Sequence, residues 1–175
     1  MGKIIDKENG FTIVELLVTS LIITVAVTLG ASAIRHYWRL QALRGSVEQV
    51  VSEMRGHQQE ATSESHPYVW GTWFKSGSNR WGVVRGNIKT GTCEVRSRRT
   101  FGGGVAIQSA SFADIDTLSL SANCAAATES GAEIALFLAR GTATGGSVNL
   151  TQADVSGGAP RTISVSPITG RVTQP

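Results

Sequence analysis

Three residues near the start of the chain have types and spacing that imply chemistry: Gly10, Phe11 and Glu15. Gly10 ends a short polar segment, Met1 to Gly10, that carries Lys3, Asp6, Lys7 and Glu8. A cut after Gly10 would expose a new α-amino group on Phe11, largely cationic near neutral pH, at a helix start whose macrodipole disfavours positive charge. Glu15 lies four residues further on, on the same helical face, so its carboxylate can reach that amine in its own chain or a neighbour's. The alternative is a lone acid that snorkels from a helix end to lipid headgroups.

The element that must position this acid is an apolar run, Phe11 to Ile34, in which Glu15 is the only ionisable side chain. At about 1.5 Å per residue the run is roughly 36 Å long, enough to cross the ~30 Å hydrocarbon core of a bilayer with some tilt. A secretory signal has its apolar core before the cleavage site. Here the candidate cut precedes the apolar run, so the helix would stay on the mature chain as an anchor.

The stretch Gly10-Phe11-Thr12-Ile13-Val14-Glu15-Leu16-Leu17-Val18 closely resembles the processing site of type IV pilins and pseudopilins. The resemblance implies that a prepilin peptidase cuts between Gly10 and Phe11 and N-methylates Phe11. It further implies that Glu15 pairs with the Phe11 amine of an adjacent subunit during filament assembly. The partners that follow are other pilin or pseudopilin subunits, the prepilin peptidase, an assembly platform in the bacterial inner membrane, and membrane lipid before assembly. The implied location is that membrane, crossed once with the C-terminal domain outside the cytoplasm, and then a pilus or pseudopilus. Many relatives carry a helix-kinking proline late in the apolar half. This chain has Gly30, Ala31 and Ser32 there, so local unwinding would depend on Gly30 and Ser32.

Residues 35 to 62 read as an amphipathic continuation of the helix. Arg35, His36, Tyr37, Trp38 and Arg39 form an interfacial cluster at the membrane boundary. Beyond it Leu40, Leu43, Val47, Val50, Val51 and Met54 recur at three- and four-residue spacings among polar residues, which marks one face for a core. Gly45 and Gly56 each weaken such a helix by roughly 1 kcal/mol relative to Ala.

Residues 67 to 175 read as a globular β domain. Segments rich in Val, Ile, Thr and aromatics alternate with turn residues: 68–74, 80–84, 92–96, 105–109, 117–122, 132–139, 148–151, 161–165 and 170–173. That spacing predicts antiparallel strands and, with the helix, an α+β chain. The glycines serve turns; Gly102-Gly103-Gly104 lacks the Gly-Lys-Ser/Thr ending of a phosphate loop and reads as a flexible loop. Cys93 and Cys124 lie in the part that the anchor would export, where a disulfide forms readily; two separately buried thiols are the alternative. Two cysteines with no close partner ligands do not build a zinc site, and no metal or cofactor is expected. Nor is a catalytic residue: His36, His57 and His66 adjoin no recognisable nucleophile motif. The scattered acids Asp114, Asp116, Glu129, Glu133 and Asp154 lack calcium-loop spacing.

The Trp-containing hairpin from Val69 to Val84 and the ending Thr162 to Thr173 resemble the GspH/FimT family of minor pilins and pseudopilins. This resemblance implies a pilin fold, in which the long helix is wrapped by two β-sheets, and a structural role as a minor subunit of a type IV pilus or type II secretion pseudopilus. A major pilin is an alternative. Trp70, Trp73 and Trp81 read as hairpin packing. A further alternative is DNA capture for natural transformation. Arg80, Arg85, Lys89, Arg96, Arg98 and Arg99 cluster against the single acid Glu94, although the chain's net charge is only +3. Some FimT-like proteins bind DNA through a C-terminal Gly-Arg-x-Arg motif; here Gly170 and Arg171 match and Thr173 replaces the second arginine. The DNA candidates are therefore Arg96, Arg98, Arg99 and Arg171.

Overall fold

The structure is a computed structural model, and it describes residues 12–64, 66–113, 120–152 and 159–174. The chain divides into two compact units, Met1–Trp38 and Arg39–Pro175. One helix, α1 (Ile13–Glu64), contributes to both.

Within the first unit α1 is an apolar rod that no described residue covers. Ile13, Leu16, Leu17, Leu21, Ile22, Ile23, Val27 and Leu29 are all exposed, and its most apolar window buries nothing within the chain. The length and composition are those of a membrane span. Its hydroxyls are satisfied internally: Thr19 donates to Glu15 O at 2.9 Å, Ser20 to Leu17 O at 2.9 Å, Thr24 to Ser20 O at 2.8 Å and Thr28 to Thr24 O at 2.7 Å. This back-bonding lets polar side chains sit in an apolar helix without needing outside partners.

The second unit is a helix on two antiparallel sheets. The first sheet has the order β3-β2-β1-β5, with β1 (Tyr68–Lys75), β2 (Arg80–Asn87), β3 (Thr92–Thr100) and β5 (Ala132–Phe137). The second has the order β4-β6-β7-β8, with β4 (Val105–Phe112), β6 (Gly146–Gln152), β7 (Arg161–Val165) and β8 (Val172–Thr173). From Leu43 to Ala61 the helix sends Leu43, Val47, Val50, Val51, Met54 and Ala61 into a core shared by both sheets. Facing them are Phe74, Trp81, Ile107, Phe137, Leu150, Ile163 and Val172. Gly45 and Gly56 have open space where a side chain would stand, so the packed stripe rather than intrinsic propensity holds the helix here.

A second short helix, α2 (Leu120–Thr128), covers the other face of the first sheet. It lies where the sequence predicts a strand over 117–122; of that segment, residues 117–119 fall outside the described residues. The correction has a physical reason. Ala125, Ala126 and Ala127 are strong helix formers, and a helix places Leu120 and Cys124, four apart, on one buried face against Val69, Trp73, Val84 and Ile134. Cys93 on β3 and Cys124 on α2 are joined by a disulfide. Being covered twice, β1 and β5 are buried on both faces over most of their length, whereas β6 alternates.

Gly102–Gly104 also differs from the flexible loop expected. It forms a tight turn, closed by Val105 N–H donating to Gly102 O at 3.2 Å. Gly103 has φ +64° and packs so close to Ala42 that a side chain there would collide with it.

Candidate functional site

At the helix start, Thr12 caps the first turn of α1: the Glu15 backbone N–H donates to Thr12 Oγ1 at 3.2 Å. The spacing Thr12-x-x-Glu15 is that of a capping box, so the motif that carries the acid also fixes where the helix begins. The Glu15 side chain is exposed, and no cation pairs with it among the described residues. An acid in the first helical turn is favoured by the macrodipole. It would be costly in lipid without a partner. Gly10 and Phe11 lie outside the described residues.

The arginines singled out for nucleic acid are not brought together. Arg96, Arg98 and Arg99 lie on β3, an edge of the first sheet, and Arg171 immediately precedes β8, an edge of the second. Arg99 is engaged: its guanidinium meets Glu53 of α1 at 2.8 and 2.9 Å and lies 5.3 Å from the centre of the Trp81 ring. Arg96 faces Glu94 at 3.3 Å. Of these four, Arg98 and Arg171 have no side-chain partner among the described residues.

The sequence reading missed a row of acids on α1 that clamp the first sheet. Glu53 holds Arg99, and Glu64 accepts from Arg85 at 3.0 Å and from the Trp70 indole at 2.9 Å. Between them His57, 5 % exposed, meets Glu60 at 2.9 Å and stacks on Trp70. Arg85 also lies 4.0 Å from the centre of the Tyr68 ring. The spacing of Glu53, Glu60 and Glu64 on one helical flank was the available signal. Trp73 and Trp81 are core residues on opposite faces of the hairpin, and Trp70 is half-buried against His57. Among the described residues no three His, Cys, Asp or Glu side chains converge as a metal site would require.

Residues 5–31 match the family model described as the prokaryotic N-terminal methylation motif. The chain's fold has solved counterparts. One is the minor pseudopilin EpsH of the type 2 secretion system of Vibrio cholerae, at TM-score 0.53 and 8 % identity, covering 75 % of this chain and 94 % of that one. A second structure of the same pseudopilin gives TM-score 0.54 and 10 % identity, covering 77 % and 93 %. The N-terminal segment thus carries that methylation motif, and the fold is similar to that of a minor pseudopilin. No curated protein matches it by sequence. At such low identity the likeness to these structures is one of fold alone: a long helix packed on two antiparallel sheets.

Proposed function

We propose that this pilin-like chain is a non-enzymatic minor pilin or pseudopilin, cut between Gly10 and Phe11, N-methylated at Phe11, and built into a filament through its apolar helix. The carrying observation is the methylation motif over residues 5–31 and the capped apolar run that overlaps it, whose only acid up to Ile34, Glu15, has no cationic partner among the described residues. An unpartnered carboxylate on an otherwise apolar rod is costly in lipid, and a cation from another molecule relieves that cost. The Phe11 amine of a neighbouring subunit is that cation in this reading. Before assembly the helix anchors the chain in the inner membrane, with the β domain outside the cytoplasm. The fold likeness to a secretion pseudopilin favours a pseudopilus over a pilus.

Two measurements test this. Intact-mass analysis of chain recovered from cells should show a mature N-terminus at Phe11 carrying one methyl group. Glu15→Ala should leave that processing intact and remove the subunit from sheared filaments. Residues before Phe11 still attached, or normal incorporation of the variant, would overturn the proposal.

A further inference from the structure

The two flanks of α1 in the second unit are treated differently. At about 100° per residue, Glu53, Glu60 and Glu64 fall on one side of the buried stripe, and Arg44, Glu48, Arg55 and Gln59 on the other. On the first flank every acid is paired, with Arg99, His57 and Arg85 respectively. On the second flank charge is left over.

That flank forms one wall of a cleft of about 270 Å³, lined by Arg44, Val47, Glu48, Arg161, Thr162 and Gln174. A neighbouring hollow shares Glu48 and Gln174 and adds Arg55 and Gln59. Among the described residues the guanidiniums of Arg44 and Arg161 have neither an ion-pair nor a hydrogen-bond partner. Arg55 makes one bond, to Val172 O at 3.3 Å. The opposite wall is an open sheet edge. Strand β8 pairs with β7 only at Ser164 and Val165, so among the described residues Arg161, Thr162 and Ile163 have no ladder partner on that side.

We propose that this cleft docks an extended, acid-rich segment of a neighbouring filament subunit, with its carboxylates on Arg44 and Arg161 and its backbone beside the open edge of β7. Guanidinium groups favour paired hydrogen bonds to carboxylates, and an unpaired strand edge accepts an added strand. Glu48 makes the wall mixed in charge, which suits a peptide whose acids are spaced apart better than a uniformly anionic nucleic acid. Lining both hollows, it repels a phosphate backbone but accepts peptide N–H groups or an interspersed lysine. The identity of the partner rests on the subunit reading above; the cleft itself does not.

The test uses the purified full chain in detergent and a fluorescein-labelled peptide alternating Glu and Val, read by anisotropy. Saturable binding is expected. Arg44→Glu combined with Arg161→Glu should weaken it by about tenfold or more, as expected for losing two charge-assisted contacts. Arg98→Glu, on the distant β3 edge, should change it by less than about twofold. A peptide alternating Lys and Val should bind the double variant more tightly than the native chain, which shows that the variant is folded and its cleft reversed. Absence of saturable binding, equal loss in Arg98→Glu, or duplex DNA displacing the peptide at lower concentration would each overturn the proposal. No filament is involved, so failure here leaves the Glu15 incorporation test standing.

Discussion

Arg99 and Glu53 form a two-pronged ion pair between β3 and α1, with Nη2 2.8 Å from Oε1 and Nη1 2.9 Å from Oε2. The parallel geometry gives it more weight than a single surface contact. It also takes Arg99 out of the set of arginines free to meet a phosphate. Arg99→Ala should therefore lower stability by about 1 kcal/mol, through the lost pair and the lost stacking on Trp81. Arg98→Ala, one residue away and unpaired, should stay within about 0.5 kcal/mol of the native chain. Denaturant unfolding of both variants makes the comparison; equal effects would show that the pair contributes nothing.

The Cys93–Cys124 bond ties α2 to the edge strand of the sheet it covers. It closes a loop of sequence separation 31. Loop entropy assigns such a closure about 3 to 4 kcal/mol. Reduction, or Cys93→Ser with Cys124→Ser, should lower the unfolding free energy by about that amount. Leu120 should be released with α2, exposing the apolar face at Val69, Trp73 and Ile134, which dye binding would register. A reduced chain of unchanged stability would contradict this account.

Duplex DNA should bind weakly and with a shallow salt dependence. Each neutralised phosphate contributes roughly −0.9 to the slope of log affinity against log salt, so the two unpaired DNA candidates, Arg98 and Arg171, give a slope near −2. Four would give nearly −4, which requires Arg96 and Arg99 to abandon Glu94 and Glu53. Gel shifts across a salt series settle the count. A steep slope that falls in Arg98→Ala combined with Arg171→Ala would restore the nucleic-acid reading.

What was legible in the sequence follows from the range of the interactions involved. The apolar run, the Glu15 spacing and the strand-length segments are local patterns, and the helix with its two sheets lies where they indicate. The alternation of Thr117-Leu118-Ser119-Leu120-Ser121 has a strand's period of two, so it concealed a helix that the following alanines and the burial of Leu120 and Cys124 select. The turn at Gly103 depends on Ala42, and the cleft depends on Arg44 meeting Arg161. Such long-range pairings leave no spacing to read. The spacing of Glu53, Glu60 and Glu64 was there to be read, but the partners of Glu53 and Glu64 on β3 and β2 were not.

The hydroxyls of Thr19, Ser20, Thr24 and Thr28 each point back at a carbonyl of their own helix. On the proposed route from bilayer to filament, extraction of the rod then exchanges one greasy surrounding for another without dismantling any of those bonds. The cost of transit concentrates at a single carboxylate, that of Glu15. On that route the anchor would be both hard to release into water and easy to hand over to a bundle, with the handover gated where the acid finds its counter-charge.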